Sequence, residues 1–275
     1  MIHQRAAAAD KPALAQLWQQ AFGDDEAYTD FVFDRFAGLE NTWIARDADE
    51  VVASVCAVPV RLRELRGIYL YGVNTKKELR GNGIMDALLR FVHEEARSAG
   101  CVFATLVPAG EDLFRYYGKF GYEPLFEQRV LTCPIRANLW AQAQFDTITA
   151  SRLTQMRTTY LPEGFVCFTG GAHAAMVQNL YTGGATTVET DSGYGVFFKM
   201  QEVLVFQELM ARDTAAAMRI LQASREQTGA ERAVVKLPSW SDLFLGEGKS
   251  SPYGMLCWLS GEQTLYNPYM GLMCD

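Results

Sequence analysis

Three features are missing from this chain of 275 residues. No stretch approaches the ~20 consecutive apolar residues that a membrane-spanning helix needs. No cysteines are paired: Cys56, Cys101, Cys133, Cys167, Cys257 and Cys274 are scattered singly, with no C-x-x-C and no neighbouring His. Nor is there an excess of positive charge, since 25 Lys and Arg against 32 Asp and Glu leave a formal net charge of −7. The first absence argues against a membrane partner, and the second removes metal-site spacing. The third argues against nucleic acid, because phosphate binding relies on clustered Lys and Arg. The thiols read as small apolar core residues in a reducing compartment. Met1–Arg5 leads into an Ala-rich polar stretch, not an apolar signal-peptide core, so a cytoplasmic location is expected.

The sequence does hold a globular composition, 49% hydrophobic and 21% charged. Such a chain can build one large or two small domains without disulfides or metals. Pro12 opens a helix carrying Leu14, Leu17, Trp18 and Ala21, and Gly23 ends it. Tyr28, Phe31, Val32 and Phe36 mark a second amphipathic stretch. Strands are expected from Thr42, over Val51–Arg63 and over Ile68–Thr75. A basic, Gly-containing loop, Lys76–Gly83, precedes a helix with Met85, Leu88, Leu89 and Val92 on one face. Gly100 stops that helix. A strand over Val102–Val107, a short helix over Glu111–Tyr117 and a strand over Leu125–Cys133 follow. The expected fold is α/β (α+β), mixed sheet with flanking helices.

The loop from Val73 to Met85 is the most informative segment. Backbone N–H groups of a glycine-containing loop at a helix N-terminus point outward, unpaired, and form a natural cradle for a pyrophosphate. Gly81 and Gly83 permit close approach of the backbone. Arg80 adds a charge-assisted donor. The loop is neither a P-loop nor a complete dinucleotide fingerprint, since G-x-x-x-x-G-K-[ST] and the third Gly are both lacking. On six residues alone, a Gly-rich turn with a solvated Arg fits equally well.

The pattern Arg80-Gly81-Asn82-Gly83-Ile84-Met85 resembles motif A of the GNAT acetyltransferase superfamily, Gln/Arg-x-x-Gly-x-Gly/Ala. Met85 replaces the last Gly/Ala, as in the subgroup related to the enhanced intracellular survival (Eis) acetyltransferases. Tyr117-Gly118-Lys119-Phe120-Gly121-Tyr122 resembles the motif B of the same family, in the Eis-like Tyr-Gly-Arg-Phe-Gly-Tyr form. The two motifs stand in the right order, one helix and one strand apart. The resemblance covers roughly residues 10–130.

This resemblance implies acetyl-coenzyme A as acyl donor and no metal. Arg80, Gly81, Asn82, Gly83, Ile84 and Met85 would hold the pyrophosphate. Val73, Asn74 and Thr75 would lie along the pantetheine arm, pairing with it like an added strand. Tyr117 falls at the general-acid position, with Tyr116 as the neighbouring alternative. Reference values of about 8.5 for a thiol and about 10 for a phenol let a phenol share its proton with the leaving thiolate. Gly110 stands where an Asn is usual. The amine acceptor, a small molecule or a peptide, would meet Asp24, Asp25 and Glu26. Asp30 and Asp34 belong to the same acidic run, for which a solvated helix face is the simpler reading. His93 is expected as a partly exposed helix residue.

Residues 135–275 resemble the second, degenerate GNAT unit of Eis-like proteins. The expectation is two tandem GNAT-like units, 1–134 and 135–275, only the first binding acetyl-coenzyme A. A helix is expected over Phe145–Tyr160 and another over Ala172–Tyr181. A hairpin of Val196–Lys199 with Val203–Ala211, a helix over Thr214–Gln227 and a strand over Ala233–Leu237 follow. Arg212-Asp213 replaces a Gly loop, so nothing there can cradle a pyrophosphate. Trp240, Phe244, Tyr253, Trp258, Tyr266 and Tyr269 read by default as core. Eis-like enzymes bring a C-terminal carboxylate to the site from a third, sterol-carrier-like domain, for which this chain is expected to have no room. Asp275 is therefore not among the candidates. Other readings are a non-catalytic acyl-coenzyme A sensor or scaffold, and a transferase using a longer acyl or aminoacyl donor. A homo-oligomer is left open.

Overall fold

The most apolar run of the first half, Glu50–Leu62, becomes a strand (β3) buried along almost its whole length. That burial needs cover on both faces and both edges. The edges are β2 (Thr42–Asp47) and β4 (Leu65–Thr75), both antiparallel to it. The computed structural model describes residues 1–274, so Asp275 lies outside the described residues.

A four-residue strand, β1 (Ile2–Arg5), pairs with Trp43–Arg46 of β2. It is too short to show an alternating pattern, and sequence reading missed it. Helix α1 (Lys11–Phe22) buries Leu14, Leu17 and Trp18 and ends at Gly23 in the left-handed conformation. Helix α2 (Glu26–Phe31) continues into a π turn over Val32–Phe36 that buries Val32, Phe33 and Phe36. Helix α3 (Ile84–Ser98) buries the expected stripe of Met85, Leu88, Leu89 and Val92. Strand β5 (Phe103–Leu106), helix α4 (Glu111–Gly118) and strand β6 (Glu123–Pro134) complete the first half.

In the second half, the helix expected from Phe145 is divided. Phe145 lies in a short strand, β7 (Gln144–Asp146). The hydroxyl of Thr149 caps a new helix, α5 (Ala150–Tyr160), by accepting from the Arg152 N–H at 3.1 Å. A side-chain cap of this kind fixes where a helix can begin. Strand β8 (Val166–Phe168), helix α6 (Gly170–Thr182) and strands β9 (Thr186–Thr190), β10 (Gly193–Met200) and β11 (Val203–Ala211) follow. Then come helix α7 (Thr214–Thr228) and strands β12 (Arg232–Pro238) and β13 (Lys249–Trp258). Sequence reading assigned no strand to β13, whose first half, Lys-Ser-Ser-Pro, carries no apolar pattern. Of the aromatics read as core, Phe244 and Tyr269 are buried, whereas Trp240 and Tyr266 are exposed.

All strands join one sheet in the order β1-β2-β3-β4-β5-β13-β6-β12-β11-β10-β9-β7, with β8 pairing β3. Two neighbouring pairs are parallel, β4 with β5 and β11 with β12. A helix connects each, α3 in one case and α7 in the other. The middle of the sheet is an exchange. Strand β13 lies between β5 and β6, and β6 lies between β13 and β12. Each half therefore completes its sheet with the last strand of the other. An apolar cluster spans the same seam, joining Leu14, Phe36 and Val60 to Phe168, Met176 and Met210. Within it a buried ion pair sits at 3.2 Å between Arg157 and Glu208. Arg157 also donates to the Gly271 carbonyl at 3.0 Å, and Tyr194 donates to Glu208 at 2.7 Å.

The exchange makes a direct prediction. Residues 1–134 produced alone should lack a cooperative unfolding transition, because β5 and β6 would each present an open edge. Thermal melts followed by circular dichroism check this, and a sharp transition from a soluble monomer would contradict it.

Candidate functional site

The site begins where β4 leaves β5. Parallel pairing holds Gly67–Tyr69 against Phe103–Thr105 and then stops, while β4 runs on to Thr75. On its other edge β4 carries a bulge: Asn74 faces Ser54 and Tyr71 faces Cys56, so two residues oppose Val55. A bulge adds twist and re-aims the chain. Gly72 sits in it with φ +59°, and a Cβ there would lie 2.0 Å from the Trp18 ring. Conformation and packing both demand glycine. The buried Asn74 braces the bulge by accepting from Ser54 Oγ at 3.1 Å and donating to the Gly72 carbonyl at 2.9 Å.

Beyond Thr75 the chain makes a 3-10 turn, Lys77–Leu79, and enters α3. Arg80 Nε donates to the Thr75 carbonyl at 3.1 Å, and Asn82 Nδ2 to the Leu79 carbonyl at 3.2 Å. Gly81 and Gly83 have φ of +80° and +74°, with open space where a Cβ would be. Gly83 is the N-cap of α3 and supplies no side-chain cap. The first-turn N–H groups, which have no carbonyl ahead of them, are left for an external acceptor.

A cleft of ≈ 590 Å³ opens here. Val73, Asn74, Thr75, Arg80, Gly81, Gly83, Ile84 and Met85 all line it, so the structure brings together every loop residue singled out from sequence except the exposed Asn82. From α4 come Leu113, Tyr116 and Tyr117. The two tyrosines differ. Tyr116 donates to Asp86 Oδ1 at 2.8 Å. Tyr117 is 6% exposed, and burial pushes its phenol well above the ordinary value.

A second cleft, of ≈ 290 Å³, meets the first. Among the described residues, only Val73, Leu113 and Tyr117 line both. Asp24 lines the second cleft, where its Oδ2 accepts from Trp18 Nε1 at 2.8 Å. The other acidic residues do not line it. Asp25 caps α2 by accepting from the Tyr28 N–H at 2.9 Å, Glu26 is exposed, and Lys11 bridges Asp30 and Asp34 at 2.7 Å each. Sequence reading missed the walls of this cleft: Trp18, Tyr28, Tyr69, Tyr71 and Cys274. The alternation of Tyr69 and Tyr71 on β4 was the available signal, since alternate strand residues share a face. Cys274 carried none; its carbonyl accepts from Tyr69 Oη at 2.8 Å across 205 residues of chain.

His93 is not the partly exposed helix residue expected. It is 8% exposed, and its Nε2 pairs with Tyr122 Oη at 2.8 Å. Motif-like Tyr122 thus ties the end of the turn after α4 to α3. At the matching place in the second half, α7 is closed: the Asp213 carboxylate accepts from the Ala216 N–H at 2.8 Å. That bond, with help from Arg212, holds Asp213 below the usual carboxylate range. The described residues contain no cluster of three or more metal-ligating side chains, and no helix among them is long and apolar enough to cross a membrane.

Residues 3–125 match the model of the acetyltransferase (GNAT) domain, and the chain carries a GNAT acetyltransferase domain, the mark of an acyltransferase that draws on acetyl-coenzyme A. Solved structures share the fold over nearly the whole chain. A GCN5-related N-acetyltransferase from Kribbella flavida is 18% identical with a TM-score of 0.70, covering 94% of this chain and 72% of its own. Eis1 from Mycobacterium abscessus is 12% identical with a TM-score of 0.69, covering 94% and 74%. A tandem GNAT protein from the clavulanic acid biosynthesis pathway is 13% identical with a TM-score of 0.56, covering 95% and 99%. No curated protein matches the chain.

Burial lowers the His93 pKa from 6.5 to about 4. As pH falls below 6.5 the unfolded chain takes up the proton while the folded chain does not, so stability drops until about pH 4. The loss between pH 7 and pH 4.5 should be about 2 kcal/mol. Urea unfolding of the wild type and of His93→Gln checks it: the wild type should lose that much more across the interval, and parallel pH profiles would contradict it.

Proposed function

We propose that the chain transfers the acetyl group of acetyl-coenzyme A to a primary amine by direct attack, with Tyr117 as general acid. The observation that carries this reading is the position of Tyr117 at the junction of the two clefts. In it, the first-turn amides of α3, the Gly81 and Gly83 backbone and the Arg80 guanidinium receive the diphosphate. The pantetheine arm lies along Val73–Thr75, where β4 has lost its neighbour. The thioester then reaches the junction, and a backbone N–H at the Val73 bulge faces the developing oxyanion. The amine enters through the second cleft beside Asp24.

The raised Tyr117 value fits this role. A buried phenol stays protonated throughout the working range, and the same burial makes the departing thiolate a stronger base. The proton is therefore held until the C–S bond breaks, and then shared.

The division of labour is part of the proposal: residues 1–134 form the catalytic unit, and 135–275 form a degenerate unit without a cofactor. Two features support it. Asp213 occupies the anion position at the start of α7, and no glycine-containing loop stands between β11 and α7.

The test is Tyr117→Phe. Its kcat should fall by about 10²–10⁴-fold, while the acetyl-coenzyme A Kd from calorimetry should change by less than about threefold. An unchanged kcat would rule out the general-acid role. Equal silence of both proteins with every amine, despite tight cofactor binding, would identify a non-catalytic binder. The pH profile offers a second check. Because burial raises the Tyr117 pKa, the wild-type rate should show no loss assignable to this phenol up to about pH 10. A falling limb near pH 8 that vanishes in Tyr117→Phe would contradict this.

A further inference from the structure

The second cleft has a composition that selects among amines. Its walls are rings: Trp18 lies 4.7 Å from Phe22 and 5.4 Å from Tyr71, centroid to centroid, with Tyr28 at 6.5 Å. Three of the four tyrosine hydroxyls in the lining are engaged, all but that of Tyr117. Tyr28 and Tyr71 bond each other at 2.7 Å, and Tyr69 donates to the Cys274 carbonyl. Among the described residues, the one carboxylate in the lining is Asp24. One of its oxygens is held by Trp18 Nε1, which fixes the carboxylate beside an aromatic wall. Phe22, also in the lining, is 46% exposed.

We propose that the acceptor is a small arylalkylamine, its ammonium received by Asp24 and its ring seated among Trp18, Phe22, Tyr28 and Tyr71. This rests on the acyl-transfer reading above and names the substrate class for that same site. A cation beside aromatic faces is attracted by their quadrupoles, and a carboxylate adds a charge-assisted partner. A flat apolar body buries its surface against the rings. An amino sugar or a polyamine would bring several further polar groups into a cleft whose described side chains offer few free polar partners beyond Asp24 and Tyr117, and would leave most of those groups unpaired.

The step balances as follows. The bound ammonium releases one proton to water, and the free amine nitrogen attacks the thioester carbonyl, forming C–N. The C–S bond breaks, and the thiolate takes the Tyr117 proton. The amide nitrogen gives up its extra proton, which restores Tyr117 through water. The sum is acyl amide, coenzyme A thiol and one proton.

The experiment measures thiol release at saturating acetyl-coenzyme A with phenethylamine, spermidine and glucosamine. Phenethylamine should show a kcat/KM at least about tenfold above both others. Asp24→Asn keeps the acceptor for Trp18 and should raise the phenethylamine KM about tenfold, leaving acetyl-coenzyme A affinity unmoved. Phe22→Ala, at an exposed position, should raise the same KM about threefold or more. Equal or better turnover of spermidine or glucosamine overturns the proposal, as does a phenethylamine KM indifferent to Asp24→Asn. A protein that binds acetyl-coenzyme A in calorimetry yet fails to acetylate phenethylamine loses the acceptor class alone. One that fails to bind the cofactor loses the acyl-transfer reading with it.

Discussion

The parting of β4 from β5 after Tyr69 governs the rest of the structure. A parallel pair that stayed closed would use up the main-chain groups of Val73–Thr75 in the sheet. Once the strands part, those groups face a cleft, and α3 begins at its floor with its first-turn amides unclaimed. The bulge at Gly72 holds the departure in place, because Trp18 fills the space where a side chain would otherwise be. Helix α4 then closes the gap from the other side and carries Tyr117 into it. The two clefts and the place of Tyr117 at their junction are thus consequences of one broken ladder.

The exchange of β6 and β13 explains why the half that carries the glycine-opened cleft needs the other half. Strand β13 hydrogen-bonds to β5, the strand that β4 abandons. Without it β5 would keep β4 on one side and present an open edge on the other. The segment after β13 is pinned deep in the seam, where Arg157 holds the Gly271 carbonyl and Tyr69 holds that of Cys274. Breaking a buried pair such as Arg157–Glu208 costs more than forming it gains, since the remaining charge has no water. The seam is therefore fixed, and the second half supplies Cys274 to the wall of the second cleft. The contrast between the two parallel crossovers is equally physical. Gly83 leaves a helix end open, whereas Asp213 closes one with its own carboxylate.

What the sequence disclosed follows from how local each signal was. The helix stripe of Met85, Leu88, Leu89 and Val92, the stop at Gly100 and the glycine loop are written within a few residues, and all are found in the structure. The hairpin of β10 and β11 was legible for the same reason. Strand β13 was not, because its place is set by partners more than a hundred residues away. His93 looked exposed on helical pitch alone; only the arrival of Tyr122 shows why it is buried. The acidic run from Asp24 to Asp34 looked uniform in sequence, yet the fold assigns its members to a cap, to an ion pair with Lys11 and to a cleft wall. Trp18 and Cys274 gave no sequence sign that they would meet at one cleft.

The most direct test of the account is calorimetric titration of the full chain with acetyl-coenzyme A and, separately, with acetyl-pantetheine, which keeps the thioester arm and lacks the diphosphate. If the α3 amides and Arg80 hold the diphosphate while β4 holds the arm, acetyl-coenzyme A should bind at least about a hundredfold more tightly, the worth of two or so charge-assisted bonds. Equal affinities, or no binding of acetyl-coenzyme A at all, would contradict the assignment of the cleft.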